Sequence, residues 1–379
     1  MVLPASLRKF AAGLAAVSPV RVRSRTGWGR AAVAYLPRPL REPDETVYMK
    51  RHQNRREARE IVKILVELGL DVDVGFCRGP LLLRRTDYDV VLGVEPNFVR
   101  LAVRNPCASK VYYATGTYCR FQRTAEERRI AELNQERHSR LRITRRAMIH
   151  EGAEIADLIV QIGTSRTVQT YPDHLRSKVR LVRPSVLGGD ASPIRRDWET
   201  ARRTFLWLGG KGPILKGLDL CLAAFAARPN LCLLIAGEWN RAFASEFAAE
   251  LSGGAGIEAL GWLEVGSENA RQVAQQAGFI LLPSASEGFA GSVLTGMAYG
   301  LIPVTSWIAS PPVGVPSIEV RDLTISGVQR AIDEASAMTP GELAARSSQC
   351  LEYVSREHTL NTFRADLARS LAGLISRRL

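Results

Sequence analysis

The residues with the clearest chemical potential lie in the second half of the chain, where charged side chains stand beside glycines. Glu287 follows the apolar run Phe279–Pro283 and precedes Gly288. Lys216 ends a glycine-rich segment that begins at Gly209. A carboxylate accepts hydrogen bonds from sugar hydroxyls, whereas a lysine and the backbone N–H groups beside glycines favour phosphate. These residue types predict a site for a ligand that carries hydroxyls and phosphate.

Strands that end at these residues must hold them in place. The apolar run 279–283 predicts a buried strand, and a small-residue helix is predicted from Gly291 to Tyr299. Residues 203–209 predict another strand, and a helix is predicted to start near Gly217. Ligands of doubly wound parallel sheets bind at the carboxyl ends of strands. Glu287 and Lys216 are therefore expected at one edge of one sheet.

The segment around Glu287 resembles the donor-sugar motif of retaining glycosyltransferases with the GT-B fold, especially glycosyltransferase family 4. The positions that fit the motif are Pro283, Ser284, Glu287, Gly288, Phe289, Ala298, Gly300 and Pro303. The family carries a second Glu eight positions after the first, where it holds the nucleotide ribose. Thr295 occupies that position here.

The glycine-rich segment resembles a second family motif, in which Gly-Arg-Leu is followed after three residues by Lys-Gly. The basic pair of that motif contacts the donor diphosphate. Lys216 matches the family Lys, and Lys211 stands at the Arg position. A lysine supplies a point charge where an arginine supplies a two-pronged donor.

The resemblance implies a donor site in the second half of the chain, with Glu287 and Lys216 as the catalytic residues. The implied donor-binding residues are Gly209, Gly210, Lys211, Lys216, Ser284, Glu287, Gly288, Phe289, Ser292 and Thr295. Trp262 stands near the position of the family's base pocket, but a buried strand aromatic is the favoured interpretation.

The first half of the chain offers weaker candidates for acceptor binding. His52 and Asn54 stand where family members carry a Gly-Gly loop, and Thr115 and Thr117 stand at a strand end where many members carry a His. Asn54 is equally explained as a helix-capping residue and His52 as an exposed loop residue. Residues 126–146 predict a charged helix or helix pair, for which a solvated surface is favoured over acceptor binding.

Apolar strands alternate with amphipathic helices in both halves of the chain, which predicts parallel sheets covered on both faces. We predict an α/β protein of the GT-B class, in which two Rossmann-like domains face each other across a cleft. The predicted segments are a basic N-terminal extension (1–30), an acceptor domain (31–187), a linker (188–200), a nucleotide-sugar domain (201–355) and a C-terminal helix returning toward the first domain (356–379).

The net charge of +13 is concentrated in the first half of the chain. Residues 1–60 carry 13 basic residues against 5 acidic ones, and residues 120–146 carry 9 against 4. This bias suits a phosphorylated acceptor or an anionic membrane surface, while a solvated basic face explains it equally well. An apolar stripe of Leu3, Leu7, Phe10, Leu14 and Val17 supports the membrane hypothesis. The charge lacks the interleaved aromatic residues of nucleic-acid-binding modules, and no nucleic-acid partner is predicted.

Six scattered cysteines and the absence of an 18-residue apolar run predict a cytoplasmic protein with reduced thiols, at the inner face of the membrane if it binds lipid. The Asp71-Val-Asp73 and Asp87-Tyr-Asp89 pairs lie at strand edges and are interpreted as turn and cap residues. No metal and no cofactor are predicted.

By resemblance, the expected activity is metal-independent transfer of a sugar, with retention, from a nucleoside-diphosphate donor to an acceptor hydroxyl of a glycan or lipid-linked molecule. The alternative is a GT-B-like protein that binds a nucleotide or glycan without turnover, which Thr295 and the missing His favour.

Overall fold

The computed structural model describes residues 17–144, 146–186, 194–252, 254 and 256–375. Part of the predicted extension, including Leu3, Leu7, Phe10 and Leu14, lies outside these residues, as does part of the predicted linker. The described chain is an α/β structure with two sheets.

The first sheet has the order β1-β3-β2-β4-β5-β6-β7, and its strands are parallel except for β1, which pairs antiparallel with β3. The strands are β1 Val20–Val22, β2 Gly29–Tyr35, β3 Leu70–Phe76, β4 Val90–Gly93, β5 Ser109–Ala114, β6 Leu158–Ile162 and β7 Val179–Val182. Successive side chains of a strand point to opposite faces. Ala31 and Val33 therefore pack in one apolar cluster, and Ala32 and Ala34 pack in another on the opposite face.

Helices lie in most connections between these parallel strands, although residues 77–89 between β3 and β4 contain none. They are α1 Val47–Lys50, α2 Asn54–Glu67, α3 Asn97–Arg104, α4 Cys119–Arg137, α5 Gly152–Ile155, α6 Ser165–Gln169 and α7 Asp173–Arg176, with a short 3-10 helix at Arg38–Arg41.

The second sheet is parallel throughout and has the order β10-β9-β8-β11-β12-β13. Its strands are β8 Thr204–Gly209, β9 Cys232–Gly237, β10 Ile257–Gly261, β11 Phe279–Leu282, β12 Ile302–Ser306 and β13 Ile318–Val320. The helices are α8 Trp198–Ala201, α9 Leu218–Ala226, α10 Arg241–Glu246, α11 Ala248–Leu251, α12 Glu268–Gln276, α13 Gly291–Ala298, α14 Ile325–Ser336, α15 Pro340–Glu357 and α16 Leu360–Ile375, with a short 3-10 helix at Trp307–Ala309.

Helix α16 packs on the first sheet's side of the molecule, against α2 and β7. Phe363, Leu367 and Leu371 are fully buried in the first domain's apolar cluster. Their spacing of four residues puts them on one face of the helix. The end of the chain thus returns to the domain in which the described part begins.

The long helix α4 corrects one prediction. We expected a charged helix or helix pair over 126–146 with a solvated surface. The helix ends at Arg137, where His138 takes a left-handed conformation with φ 53°. The described residues 138–144 and 146–150 form no helix. Arg129 and Leu133 are buried, and Leu133 belongs to the apolar core of the second domain. Part of α4 therefore lies in the interface between the domains.

Candidate functional site

The candidate site lies where the strand order of the second sheet reverses direction. Strands β8 and β11 are neighbours, but the chain proceeds from β8 toward β9 on one side and from β11 toward β12 on the other. In open α/β sheets, the connections leaving two such strands diverge and create a ligand-binding crevice. The two loops at this point are 209–217 and 283–290, which carry both motifs found in the sequence.

The loop after β8 is shaped by its glycines. Gly217 has φ +70°, and a Cβ at this residue would lie 2.4 Å from the carbonyl oxygen of Pro283. Only glycine combines that conformation with so close an approach. Gly217 therefore lets α9 begin directly against the β11 loop, and it brings Lys216 beside that loop.

Lys216 and Glu287 form an ion pair between the two loops. Their side chains are 13% and 15% exposed, so the pair is shielded from water on most sides. Ser284 donates a hydrogen bond from Oγ to Glu287 Oε1 at 3.1 Å. The structure thus brings together three residues predicted from two motifs about seventy positions apart, and it presents a cation and a carboxylate at one place.

The loop that carries Glu287 is also held by the first domain. The hydroxyls of Thr117 and Ser286 are 2.6 Å apart, and Thr167 donates from Oγ1 to the carbonyl of Gly288 at 2.9 Å. A Cβ on Gly288 would lie 2.6 Å from the carbonyl oxygen of Thr115. Both domains therefore determine the position of the carboxylate.

Thr117, predicted to bind the acceptor, is 7% exposed, and its hydroxyl contacts Ser286 across the domain boundary. Its role in acceptor binding stays a prediction. Thr115 is exposed at the same boundary, beside Gly288.

Phe289 connects the same loop with the place where the chain crosses between domains. Its ring lies 4.8 Å from that of His358 in an edge-to-face arrangement. His358 is fully buried and contacts the Pro184 carbonyl through Nδ1 at 2.8 Å. Burial lowers the pKa of His358 to about 4, so the ring is neutral near pH 7.

The remaining candidate donor-binding residues differ in their exposure to solvent and in their distance from the Lys216–Glu287 pair. Thr295 donates from Oγ1 to the Gly291 carbonyl at 2.9 Å, one turn earlier in α13, and Ser292 is partly exposed at the start of that helix. Gly210 has open space around it. Lys211 is exposed and lines a separate cavity with residues 140–144. The structure therefore does not place Lys211 with the Lys216–Glu287 pair.

The acceptor candidates His52 and Asn54 lie at the start of α2. The Asn54 backbone N–H donates to His52 Nδ1 at 3.3 Å, and the neighbouring Gln53 side chain approaches Gly291. The start of α2 therefore faces the start of α13 across the domain boundary. Asn54 does not cap α2 from the N-cap position, which is Gln53. Its Oδ1 is buried without a hydrogen-bond partner.

Two buried acids were not predicted from the sequence. Glu57 accepts hydrogen bonds from Ser185 N and Oγ at 2.7 and 2.9 Å, and burial raises its pKa to about 7. Asp219 pairs with Arg129 across the domains at 2.6 Å, and burial raises its pKa to about 6 despite this cation. Their only sequence signal is an acid within an apolar helix face, which does not reveal the partner.

Two further expectations can be compared with the structure. Trp262 follows β10 and is 55% exposed, so the favoured interpretation as a buried strand aromatic was wrong. Asp71 accepts hydrogen bonds from Arg23 and Ser24, and Asp73 accepts one from Tyr88.

Within the described ranges, no group of three or more His, Cys, Asp or Glu residues could hold a metal ion. Within those same ranges, no helix is long and apolar enough to span a membrane.

Comparison with known families decides the nature of the second domain. Residues 202–334 match the family model described as Glycosyl transferases group 1. The second domain is a group 1 glycosyltransferase domain. The matched residues include both loops of the candidate site. A search of curated proteins found no significant match.

Solved structures extend the comparison to both domains. The sucrose-phosphate synthase of Thermosynechococcus elongatus aligns with a TM-score of 0.61 at 13% identity, covering 92% of this chain and 100% of that one. HepE of Anabaena, solved in complex with UDP-glucose, aligns with a TM-score of 0.56 at 12% identity, covering 90% and 99%. WaaG, a glycosyltransferase of lipopolysaccharide biosynthesis, aligns with a TM-score of 0.51 at 11% identity, covering 89% and 98%. The predicted GT-B fold is confirmed, and the family model supports the predicted glycosyltransferase family over residues 202–334, whereas retention and family 4 membership stay predictions.

Proposed function

We propose that this group 1 glycosyltransferase transfers a sugar from a nucleoside-diphosphate donor to an acceptor hydroxyl, with retention and without a metal. The Lys216–Glu287 pair at the reversal of strand order carries this proposal. A cation and a carboxylate at one crevice suit the two parts of such a donor, its diphosphate and its sugar hydroxyls. HepE is solved with UDP-glucose, so a UDP-sugar is the first donor to test.

Each residue of the pair has a distinct role in the proposed reaction. The bond between the anomeric carbon and the diphosphate breaks, and negative charge develops on the leaving oxygen. Lys216 stabilises that charge. Glu287 holds hydroxyls of the donor sugar.

The acceptor attacks the anomeric carbon from the side that the diphosphate leaves. Its hydroxyl oxygen forms the new bond, and the departing diphosphate oxygen takes the hydroxyl proton. Attack from that side preserves the anomeric configuration. The reaction needs no redox partner, and the charge that a metal would neutralise is met here by Lys216.

Ligand affinities test the role of Lys216. Lys216→Ala should weaken UDP binding by roughly ten- to a hundredfold, because one charged contact contributes about 1.5–3 kcal/mol. Uridine carries no phosphate, so calorimetry should show little change in its affinity. The variant also leaves Glu287 without its cation, and Lys216→Ala combined with Glu287→Gln separates these effects. Equal losses for UDP and uridine would refute the phosphate role.

Binding without turnover is the second candidate function, and Thr295 favours it. This hydroxyl donates to the Gly291 carbonyl and is shorter than the family's carboxylate at that position. Mass spectrometry of UDP-sugar mixtures incubated with candidate acceptors separates the two functions. Release of UDP with formation of a glycoside supports transfer, whereas tight UDP binding with no release across the acceptors supports binding alone.

A further inference from the structure

A basic strap, defined here as residues 139–144, follows α4 and crosses from the first domain to the donor loop of the second. Ser139 N and Leu141 N donate to the carbonyl and the side-chain oxygen of Asn134 at 3.1 and 2.9 Å. The Asn134 amide donates back to the Leu141 carbonyl at 2.9 Å. Leu141 packs against the core of the second domain. The strap thus has fixed contacts with both domains.

The strap closes one side of a cavity of about 770 Å³. The opposite walls are residues 211–214 of the donor loop and residues 238–240, 242 and 243 after β9. The apolar part of the lining includes Leu141, Ile143, Pro213, Ile214, Trp239 and Phe243. A cavity of this size fits a small organic ligand, and its apolar lining would bury a hydrocarbon or aromatic group.

The rim of the cavity is positively charged. Arg140, Arg142 and Lys211 line it, against one carboxylate, Glu238. In the described part of the chain, none of these three cations has an ion-pair partner, whereas neighbouring Arg137 pairs with Glu250. Unpaired guanidinium groups beside an apolar surface recognise phosphate by paired N–H donors.

We propose that this cavity binds the phosphate group of an amphiphilic acceptor, with the apolar part of that acceptor against Ile143 and Ile214. Calling this ligand an acceptor rests on the proposed function, but its binding to the cavity does not require sugar transfer. The cavity is lined by the same loop that carries Lys216, although Lys216 itself does not line it. The class of acceptor is therefore an organic phosphate with an apolar group, recognised apart from the donor nucleotide.

Calorimetry with mono-hexyl phosphate tests this site in the full chain. Hexanol and inorganic phosphate are the control ligands, and each should bind at least about tenfold more weakly because it lacks one half of the recognised chemistry. Arg140→Gln combined with Arg142→Gln should weaken hexyl phosphate binding by roughly tenfold or more and leave UDP affinity unchanged. Arg128→Gln combined with Arg356→Gln removes the same charge from exposed helix positions and should change neither affinity.

Three results would overturn the proposal. The first is that hexyl phosphate does not bind, and the second is that it binds the strap variant as tightly as the unmodified protein. Alternatively, saturating UDP displaces hexyl phosphate and Lys216→Ala weakens both ligands equally, which would assign the cavity to the donor site. Failure of the proposed function has a different signature, because it removes UDP-sugar turnover while hexyl phosphate binding and its dependence on the strap persist.

Discussion

Replacing Arg129 with Met removes one partner of a buried ion pair that joins the two domains. The Arg129 and Asp219 side chains are 4% and 3% exposed, and their atoms approach to 2.6 Å. The methionine retains much of the apolar stem of Arg129 and removes its charge. Asp219 then stays buried without its cation, and Oδ1 of this residue already lacks a hydrogen-bond partner.

The expected cost follows from the burial of the remaining carboxylate. Breaking a buried pair by removing one partner costs about 3–5 kcal/mol, because the other charge is left uncompensated. Exposed pairs contribute about 0–1 kcal/mol. Arg128→Met is the matched control, since Arg128 is one position away on α4, is 62% exposed and faces Glu132 at 3.5 Å.

Hydrogen exchange of the α4 amides measures the loss of stability in that helix, and thermal unfolding measures the loss for the whole protein. Arg129→Met should accelerate exchange in α4 by on the order of a hundredfold or more, while Arg128→Met should change it little. Protonation of Asp219 relieves the uncompensated charge, so the deficit should shrink as the pH falls from 8 to 5. Equal effects of the two variants, or a deficit independent of pH, would refute the role of the pair.

Three further predictions concern the donor loop and the buried acid of α2. Glu287→Gln should lower transfer activity by roughly ten- to a hundredfold in steady-state kinetics, because the donor sugar loses one charged hydrogen bond. The mostly buried Lys216 also loses its carboxylate, so calorimetry should show a lower melting temperature; unchanged activity would contradict the role of Glu287. Gly288→Ala should destabilise the protein by about 1–3 kcal/mol, because its Cβ would meet the Thr115 carbonyl, whereas Gly341→Ala, with open space around it, should not. Burial raises the pKa of Glu57 from 4.5 to about 7, so the folded state binds this proton more tightly than the unfolded state. The free energy of unfolding should therefore fall by up to about 3 kcal/mol as the pH rises through that window. Glu57→Gln should abolish this pH dependence in urea titrations at several pH values, and an unchanged dependence would exclude Glu57 as its source.

The sequence predicted the second domain well, because its signals are local. Short apolar strands ending at glycines and charged residues placed β8 and β11 within a few residues of their observed bounds. The parallel topology then required the loops after these strands to meet at one edge. The approach of Lys216 and Glu287 could therefore be predicted without the structure.

The contacts between the domains could not be predicted in the same way. Charged residues of a helix are usually exposed, so Arg129 was assigned to a solvated surface. Its burial depends on Asp219, ninety positions later, and no local pattern connects the two. Thr167 is similar, because a small polar residue near a helix start is usually explained by capping, yet it also bonds Gly288.

The sharing of the Glu287 loop between domains has a consequence for chimeric enzymes. Exchanging one domain of a two-domain enzyme for that of a relative assumes that each half carries its own complete chemistry. Here Thr167 and the Thr115 carbonyl belong to one half, while Gly288, which they contact, belongs to the other. A recombinant boundary placed between the domains would separate these partners. A graft that changes acceptor preference should therefore carry the ends of β5 and β6 together with a compatible donor loop, or it will misplace the carboxylate even when both halves fold.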